Sequence, residues 1–313
     1  MNYLITGGAG FIGSNIAKRL VKEGESVRII DNFSTGKREN IGDISGKVEI
    51  VDGDIRDIDT VSKAVRDMDF IIHQAALPSV PRSVKDPLTS NSVNVTGTLN
   101  LLNAAKEAKI KRFVYASSSS VYGDTPVLPK REDMPPNPQS PYAVTKLTGE
   151  YYCSVFYRVY RLPTVSLRYF NVFGPNQDPQ SQYAAVIPRF ITAILSQKSP
   201  IVFGDGEQSR DFTFIENVVE ANLLSCKNDN ASGKIFNIAC GNRYTINTLL
   251  NELYSLSGKK VEPVYSEPRS GDIRHSHAEI SRARDIIGYK PGVDFRDGLK
   301  RTVEWFKRET ATD

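Results

Sequence analysis

The chain has 313 residues, 40% hydrophobic and 24% charged, the balance of an ordinary globular protein and far from fibrous or disordered compositions. Its 40 Lys and Arg against 36 Asp and Glu leave a net charge of +4, spread without the basic stripe that nucleic-acid binding needs, and no apolar run approaches a membrane span. The three cysteines, Cys153, Cys226 and Cys240, have neither metal-ligand spacing nor an even-numbered bridging pattern.

Short β-branched runs at residues 3–6, 26–31, 48–51, 70–73 and 112–117 alternate with helical patterns at 10–23 and 60–66. Such alternation implies βαβ units and a parallel sheet covered by helices on both faces. Longer amphipathic helices are predicted over 91–108 and from Pro141, a residue suited to the first helical turn, to about 160. After a strand at 164–168 the pattern loosens between 171 and 182 into turns rich in Gly, Pro, Asn and Asp. Beyond it, strands at 201–203, 235–239 and 261–265 mix with helices at 187–196, 215–226, 245–256 and 298–307.

The expected fold is α/β: a doubly wound parallel sheet over 1–170, and a second, smaller α/β substrate-binding lobe mainly over 171–313, some of whose segments return to the first domain. Open parallel sheets bind ligands beyond the carboxyl ends of their strands. The cysteine usage and the strand-like run from Asn2, with no leader before it, point to the cytoplasm.

Directly after the first strand comes Thr6-Gly7-Gly8-Ala9-Gly10-Phe11-Ile12-Gly13. Glycines at Gly7, Gly10 and Gly13 let the backbone turn tightly and approach a pyrophosphate, whose charge suits the helix N-terminus that follows. At the end of the second strand, Asp31 can accept hydrogen bonds from both ribose hydroxyls and would repel a 2′-phosphate, which favours NAD over NADP. Asp54 is a candidate for the adenine side, with a turn-forming role as its alternative.

Tyr142 and Lys146 stand four positions apart on one predicted helical face. A nearby ammonium stabilises phenolate, so the tyrosine can take a proton from a hydroxyl. Upstream, Ser117-Ser118-Ser119-Ser120 ends a strand that should reach the same edge of the sheet. A serine hydroxyl there can orient a reacting alcohol, or cap a turn.

The glycine loop, serine-rich strand end, Tyr-x-x-x-Lys helix and a later Pro268-Arg269-Ser270-Gly271-Asp272 phrase together resemble the extended short-chain dehydrogenase/reductase family, in particular its nucleotide-sugar members, over essentially the whole chain. The resemblance implies a Rossmann domain with NAD as cofactor, Ser118 as the catalytic hydroxyl, Tyr142 as acid/base and Lys146 as its partner, with Ser119 and Ser120 as alternative or supporting hydroxyls. It places Phe11, Ile12, Asn32, Ile55, Gln74, Ala75, Ala76, Asn94 and Tyr169 against the cofactor. His73 receives no chemical role.

On the substrate side the resemblance implies a UDP-sugar. Ser79 and Asn171 would face it, Ala185 and Val186 would pack on uracil, Arg210 and Arg269 would hold the diphosphate, and Asp272 the ribose. Guanidinium forks match phosphate oxygens. Ser276 falls where relatives restricted to simple hexoses carry a bulky residue, so a 2-N-acetyl group has room. Ser119 and Ser120 stand where related 4,6-dehydratases carry Asp and Glu, which disfavours elimination.

The expected activity is therefore NAD-dependent 4-epimerisation of UDP-N-acetylglucosamine and UDP-N-acetylgalactosamine through a transient 4-keto sugar, in a homodimer that binds neither nucleic acid nor membrane. The alternatives are 4-epimerisation of UDP-glucose/UDP-galactose or UDP-glucuronate and, outside catalysis, an NAD-binding regulator.

Overall fold

A computed structural model describes residues 1–179, 185–268 and 273–312. In chain order the first part runs β1 (Asn2–Thr6), α1 (Phe11–Lys22), β2 (Ser26–Asp31), β3 (Glu49–Asp52), α2 (Ile58–Val65), β4 (Phe70–His73), α3 (Val80–Lys85), α4 (Pro87–Asn91), α5 (Gly97–Glu107), β5 (Arg112–Ser118), α6 (Pro141–Tyr160) and β6 (Thr164–Tyr169). Then come β7 (Val172–Phe173), α7 (Val186–Leu195), β8 (Ile201–Phe203), β9 (Ser209–Arg210), β10 (Thr213–Phe214), α8 (Ile215–Lys227), β11 (Lys234–Ile238), β12 (Tyr244–Thr245), α9 (Ile246–Ser257), β13 (Val264–Ser266), α10 (Ser281–Ile287) and α11 (Phe295–Thr312).

Seven strands form one parallel sheet in the order β11-β6-β5-β4-β1-β2-β3. Alternate residues of each strand feed opposite layers. Tyr3, Ile5, Ile29, Ile72 and Val114 pack with Ile16 and Leu20 of α1 and Val218 of α8. Leu4, Ile30, Ile71 and Phe113 pack with Val61 of α2, Leu101 of α5 and Phe156 of α6. With both faces covered, the central strands read as nearly continuous apolar runs. This is the doubly wound arrangement expected, and its carboxyl ends all open on one edge.

Two differences from the sequence expectation have identifiable causes. The helix predicted over 91–108 is interrupted by a widened π-turn at Ser92–Thr96 before α5 begins, a feature that often accompanies functional sites. The strand expected at 261–265 is β13, three residues long, and its position is set by pairing with β8 from Val264↔Ile201 onward rather than by its own periodicity. The strand expected at 235–239 joins the main sheet beside β6, after α8 has crossed over the α1 face, as a βαβ connection requires.

The smaller pairs β10 with β7, β12 with β9 and β13 with β8 lie outside the main sheet. No helix among the described residues is long and apolar enough to cross a membrane.

Candidate active site

A cavity of about 820 Å³ opens at the carboxyl ends of the strands. Its floor is the turn from β1 into α1. Gly7 has φ +66, and a Cβ there would lie 2.7 Å from Ala75 N; a Cβ on Gly13 would lie 2.2 Å from Gly7 O. Only bare backbone allows this close approach. Gly10 stands at the N-cap of α1 with no side-chain cap, so the first-turn N–H groups remain available to an anion. Gly7, Gly10, Phe11, Ile12 and Gly13 all line the cavity.

Asp31 closes the far wall. Its Oδ2 accepts the Ala9 N–H and its Oδ1 the Phe33 N–H, each at 2.9 Å, so the carboxylate shapes the glycine loop while facing the cavity. Burial raises its pKa, and these two bonds oppose that rise. Farther out, Arg56 grips Asp54 and Asn32 Nδ2 donates to it at 2.8 Å. The Asp54 carboxyl is pushed down to about 2, chiefly by Arg56. Asn32, Asp54 and Ile55 line this end, and Gln74, Ala75 and Ala76 line the side next to β4.

The predicted reacting groups converge. Ser140 caps α6, its Oγ accepting the Ala143 N–H at 3.2 Å, with Pro141 in the first turn; the helix start therefore fixes Tyr142. Tyr142, Lys146, Ser118 and Ser119 all line the cavity. Burial pushes the Tyr142 phenol up to about 12, and the nearby Ser118 side chain acts against that rise. Lys146 Nζ lies 5.9 Å from the Tyr142 ring centre and donates to Ala116 O at 2.8 Å. Burial pushes this ammonium down to about 8. No ion pair with a described carboxylate accounts for its charge. A desolvated cation is thus held beside a phenol and a strand-end hydroxyl.

Other assignments divide. Tyr169 and Asn171 line the cavity, the former bonded to Gln74 and Asn222 through its hydroxyl and the latter donating to Asp211 O at 3.1 Å. Ala185 lines it and Val186 does not. Ser120 turns its Oγ into the protein without a partner, which leaves Ser118 and Ser119 as the cavity hydroxyls of that pair of alternatives. Asn94 sits in the π-turn behind the wall, accepting the Leu77 N–H at 2.8 Å and donating to Thr145 Oγ1 at 3.1 Å; it braces the wall. Ser79 caps α3 at φ 119, a strained conformation for serine, next to the lining residue Pro78.

Arg210 and Ser276 lie beyond the cavity lining. Arg210 donates to Arg274 O, and the Ser276 N–H donates to Ser209 O at 2.9 Å. Arg269 and Asp272 fall outside the described residues. His73 bridges the hydroxyls of Thr6 and Thr98 at 2.7 and 2.8 Å, and burial pushes it down to about 3. It is a neutral structural link.

Sequence reasoning passed over Ser34, Thr35, Gly36 and Lys37, which line the cavity after β2. Their signal was a short polar loop directly after Asp31. It also passed over Arg82 and Gln177, whose positions depend on folding rather than on a local motif.

A dinucleotide-sized cradle ending at a phenol, an ammonium and a hydroxyl is the equipment of a nicotinamide-dependent enzyme acting on an alcohol. Residues 3–239 match the model of the family described as NAD dependent epimerase/dehydratase. A UDP-glucose 4-epimerase of Mycolicibacterium smegmatis is 38% identical over 99% of this chain and 100% of its own. The structure of a UDP-N-acetylglucosamine 4-epimerase from Methanobrevibacter ruminantium, in complex with UDP-N-acetylmuramic acid, is 44% identical, covers 98% of each chain and superposes with a TM-score of 0.94. That of Thermus thermophilus UDP-glucose 4-epimerase complexed with NAD is 36% identical, covers 98% of this chain and 99% of its own, and has a TM-score of 0.90. The chain belongs to the NAD dependent epimerase/dehydratase family. It is an enzyme and its cofactor is NAD.

The residues present fit that cofactor. The glycine cradle at the α1 N-terminus suits the pyrophosphate, Asp31 suits an unphosphorylated ribose, and Tyr142 and Lys146, which line the same cavity, would meet the nicotinamide end.

Proposed function

We propose that this enzyme is a UDP-sugar 4-epimerase whose preferred substrates are UDP-N-acetylglucosamine and UDP-N-acetylgalactosamine. The observation that carries the epimerase reading is the meeting of Tyr142, Lys146 and Ser118 on one cavity wall. NAD supplies the hydride chemistry at C4 of the sugar. Ser118 would orient the 4-hydroxyl, and Tyr142, acting as the phenolate that the Lys146 ammonium stabilises, would take its proton and become the neutral phenol. Tyr142 returns the proton after the 4-keto sugar has turned over in the site. Configuration at C4 inverts without net redox change.

The sugar preference is supported by the N-acetylated ligand named for the 44% identical structure; Ser276, to which the family resemblance gives the size-selecting position, lies beyond the cavity lining, and its role rests on that resemblance. The UDP-glucose activity named for the M. smegmatis relative represents the competing specificity. A panel of purified UDP-hexoses, UDP-N-acetylhexosamines and UDP-glucuronate tests the choice by initial rates. Faster turnover of the N-acetylated pair is expected; no turnover of that pair would remove the preference. If the position has the size-selecting role that the resemblance gives it, Ser276→Tyr should lower kcat/KM for the N-acetylated pair about tenfold or more while sparing simple hexoses. Equal losses for both classes would contradict the role given to Ser276.

We further propose a homodimer. On α6, Val144, Tyr151, Val155 and Val159 are exposed at helical spacing, and Leu88 of α4 is 82% exposed. Apolar stripes of this kind are covered in stable assemblies. Val155→Glu is expected to shift the species seen by light scattering from dimer to monomer, with little change in the fold. A wild-type monomer would rule the proposal out.

A further inference from the structure

On α6, Tyr142 and Lys146 continue at the same spacing to Glu150, the third member of one helical face. Glu150 is 1% exposed and lies outside the cavity lining. Its Oε1 accepts from Ser117 Oγ at 2.5 Å and from Arg168 Nε at 2.8 Å, and its Oε2 accepts from Arg168 Nη2 at 2.7 Å. Ser117 and Arg168 are themselves direct partners in the β5–β6 register. One carboxylate on the helix therefore grips two adjacent strands at a single level of the sheet.

The position of that grip matters because Ser117 immediately precedes Ser118. Apolar packing holds α6 against the sheet but is non-directional. A forked, charge-assisted contact fixes orientation as well. A buried ion pair is a costly way to fill space, and well-packed apolar side chains often serve stability as well or better. The neighbouring contacts have the same sense: Lys146 Nζ reaches Ala116 O, and a Cβ on Gly149 would lie 2.2 Å from the Tyr115 hydroxyl, so helix and strand touch closely there.

We infer that Glu150 is a positioning residue, which through Ser117 and Arg168 sets the height of Tyr142 and Lys146 on α6 against Ser118 on β5. The inference rests on the proposed 4-epimerase reading, in which those three groups must meet at the sugar 4-hydroxyl. Misplacement of reacting groups by an ångström or less is enough to slow a reaction strongly. Glu150 acts on the reaction only through the residues it places.

Removing Glu150 outright risks unfolding by stranding Arg168, so the decisive variant is Ser117→Ala, which cuts the tie to the catalytic strand and leaves the ion pair intact. With NAD-loaded protein, Ser117→Ala should lower kcat about tenfold with KM and melting temperature nearly unchanged. Ser117→Thr, which keeps the hydroxyl, should recover most of the rate. Glu150→Asp, with a carboxylate too short for both partners, should reproduce the loss, and the double variant should be no slower than Glu150→Asp alone. Titration of Tyr142, read by ultraviolet difference against Tyr142→Phe, should move upward in Ser117→Ala as the Ser118 contact loosens. Unchanged kcat and unchanged Tyr142 titration, strictly additive losses, or a rate loss tracking a fall in melting temperature would each overturn the inference. If wild-type protein turned over no UDP-sugar, the epimerase reading would fall, while the Tyr142 titration would still decide whether Glu150 and Ser117 set its surroundings.

Discussion

Tyr142→Phe is expected to lose about two to four orders of magnitude in kcat, the range assigned to a positioned general acid/base, while keeping NAD and its fold. Phenylalanine fills the same volume and removes only the hydroxyl, which shares the cavity wall with Ser118. Loss of one buried neutral hydroxyl contact costs about 1 kcal/mol, so the melting temperature should move by only about 1–2 °C in a chain of 313 residues. The cradle formed by Gly7, Gly13 and Asp31 is untouched. Parallel measurement of turnover, bound NAD and thermal unfolding checks all three. Retained turnover would remove Tyr142 from the chemistry, and loss of NAD together with turnover would make it a binding residue.

Lys146→Met should separate function from stability. Methionine matches the length of the buried stem without the ammonium, so kcat should fall by about two orders of magnitude or more as the charge beside Tyr142 disappears. Stability should move the other way. Burial holds Lys146 near 8 against 10.5 in an unfolded chain, a shift on the order of 3 kcal/mol against folding with the lysine charged. Loss of its hydrogen bond to Ala116 O takes back about 1 kcal/mol. A net gain of about 1–2 kcal/mol at pH 7 is expected. Because the folded pKa is depressed, the wild-type penalty is fully present below pH 8 and is relieved as pH rises through 10.5, above which both states hold the amine neutral. The advantage of the variant should shrink across that window. Denaturant unfolding at pH 7 and near pH 10 tests the sign, and a variant less stable than wild type at both would contradict it.

The sheet and the cofactor cradle were legible because their determinants are local. Apolar strands announce a two-sided sheet, and Gly7, Gly10, Gly13 and Asp31 sit at the turn and strand end where the backbone itself makes the site. Tyr142 and Lys146 were legible from helical spacing, which Ser140 and Pro141 enforce by fixing where α6 starts. Ser118 was legible only as one of several serines, since the 3-10 turn at Ser119–Tyr122 that follows β5, leaving Ser118 at the cavity and burying the Ser120 hydroxyl, leaves no trace in composition. Asn94 illustrates the same limit: its spacing fits an uninterrupted helix, but the π-turn carries it to Leu77 and Thr145. The Glu150 grip needs β5 and β6 in register, a long-range fact no local pattern contains. The short pairs beyond residue 171 were missed or displaced for that reason too, being two or three residues long and defined by their partners.

The central claim is that the hydrogen on C4 leaves the sugar as hydride and comes back to the same carbon within one binding event, with Tyr142 carrying only the proton. UDP-N-acetylglucosamine deuterated at C4 and turned over in ordinary water provides the test. The account predicts UDP-N-acetylgalactosamine with the deuterium still on C4 and a slower rate for the labelled substrate if hydride transfer limits turnover. Epimerised product from which the label has been washed into solvent would contradict it.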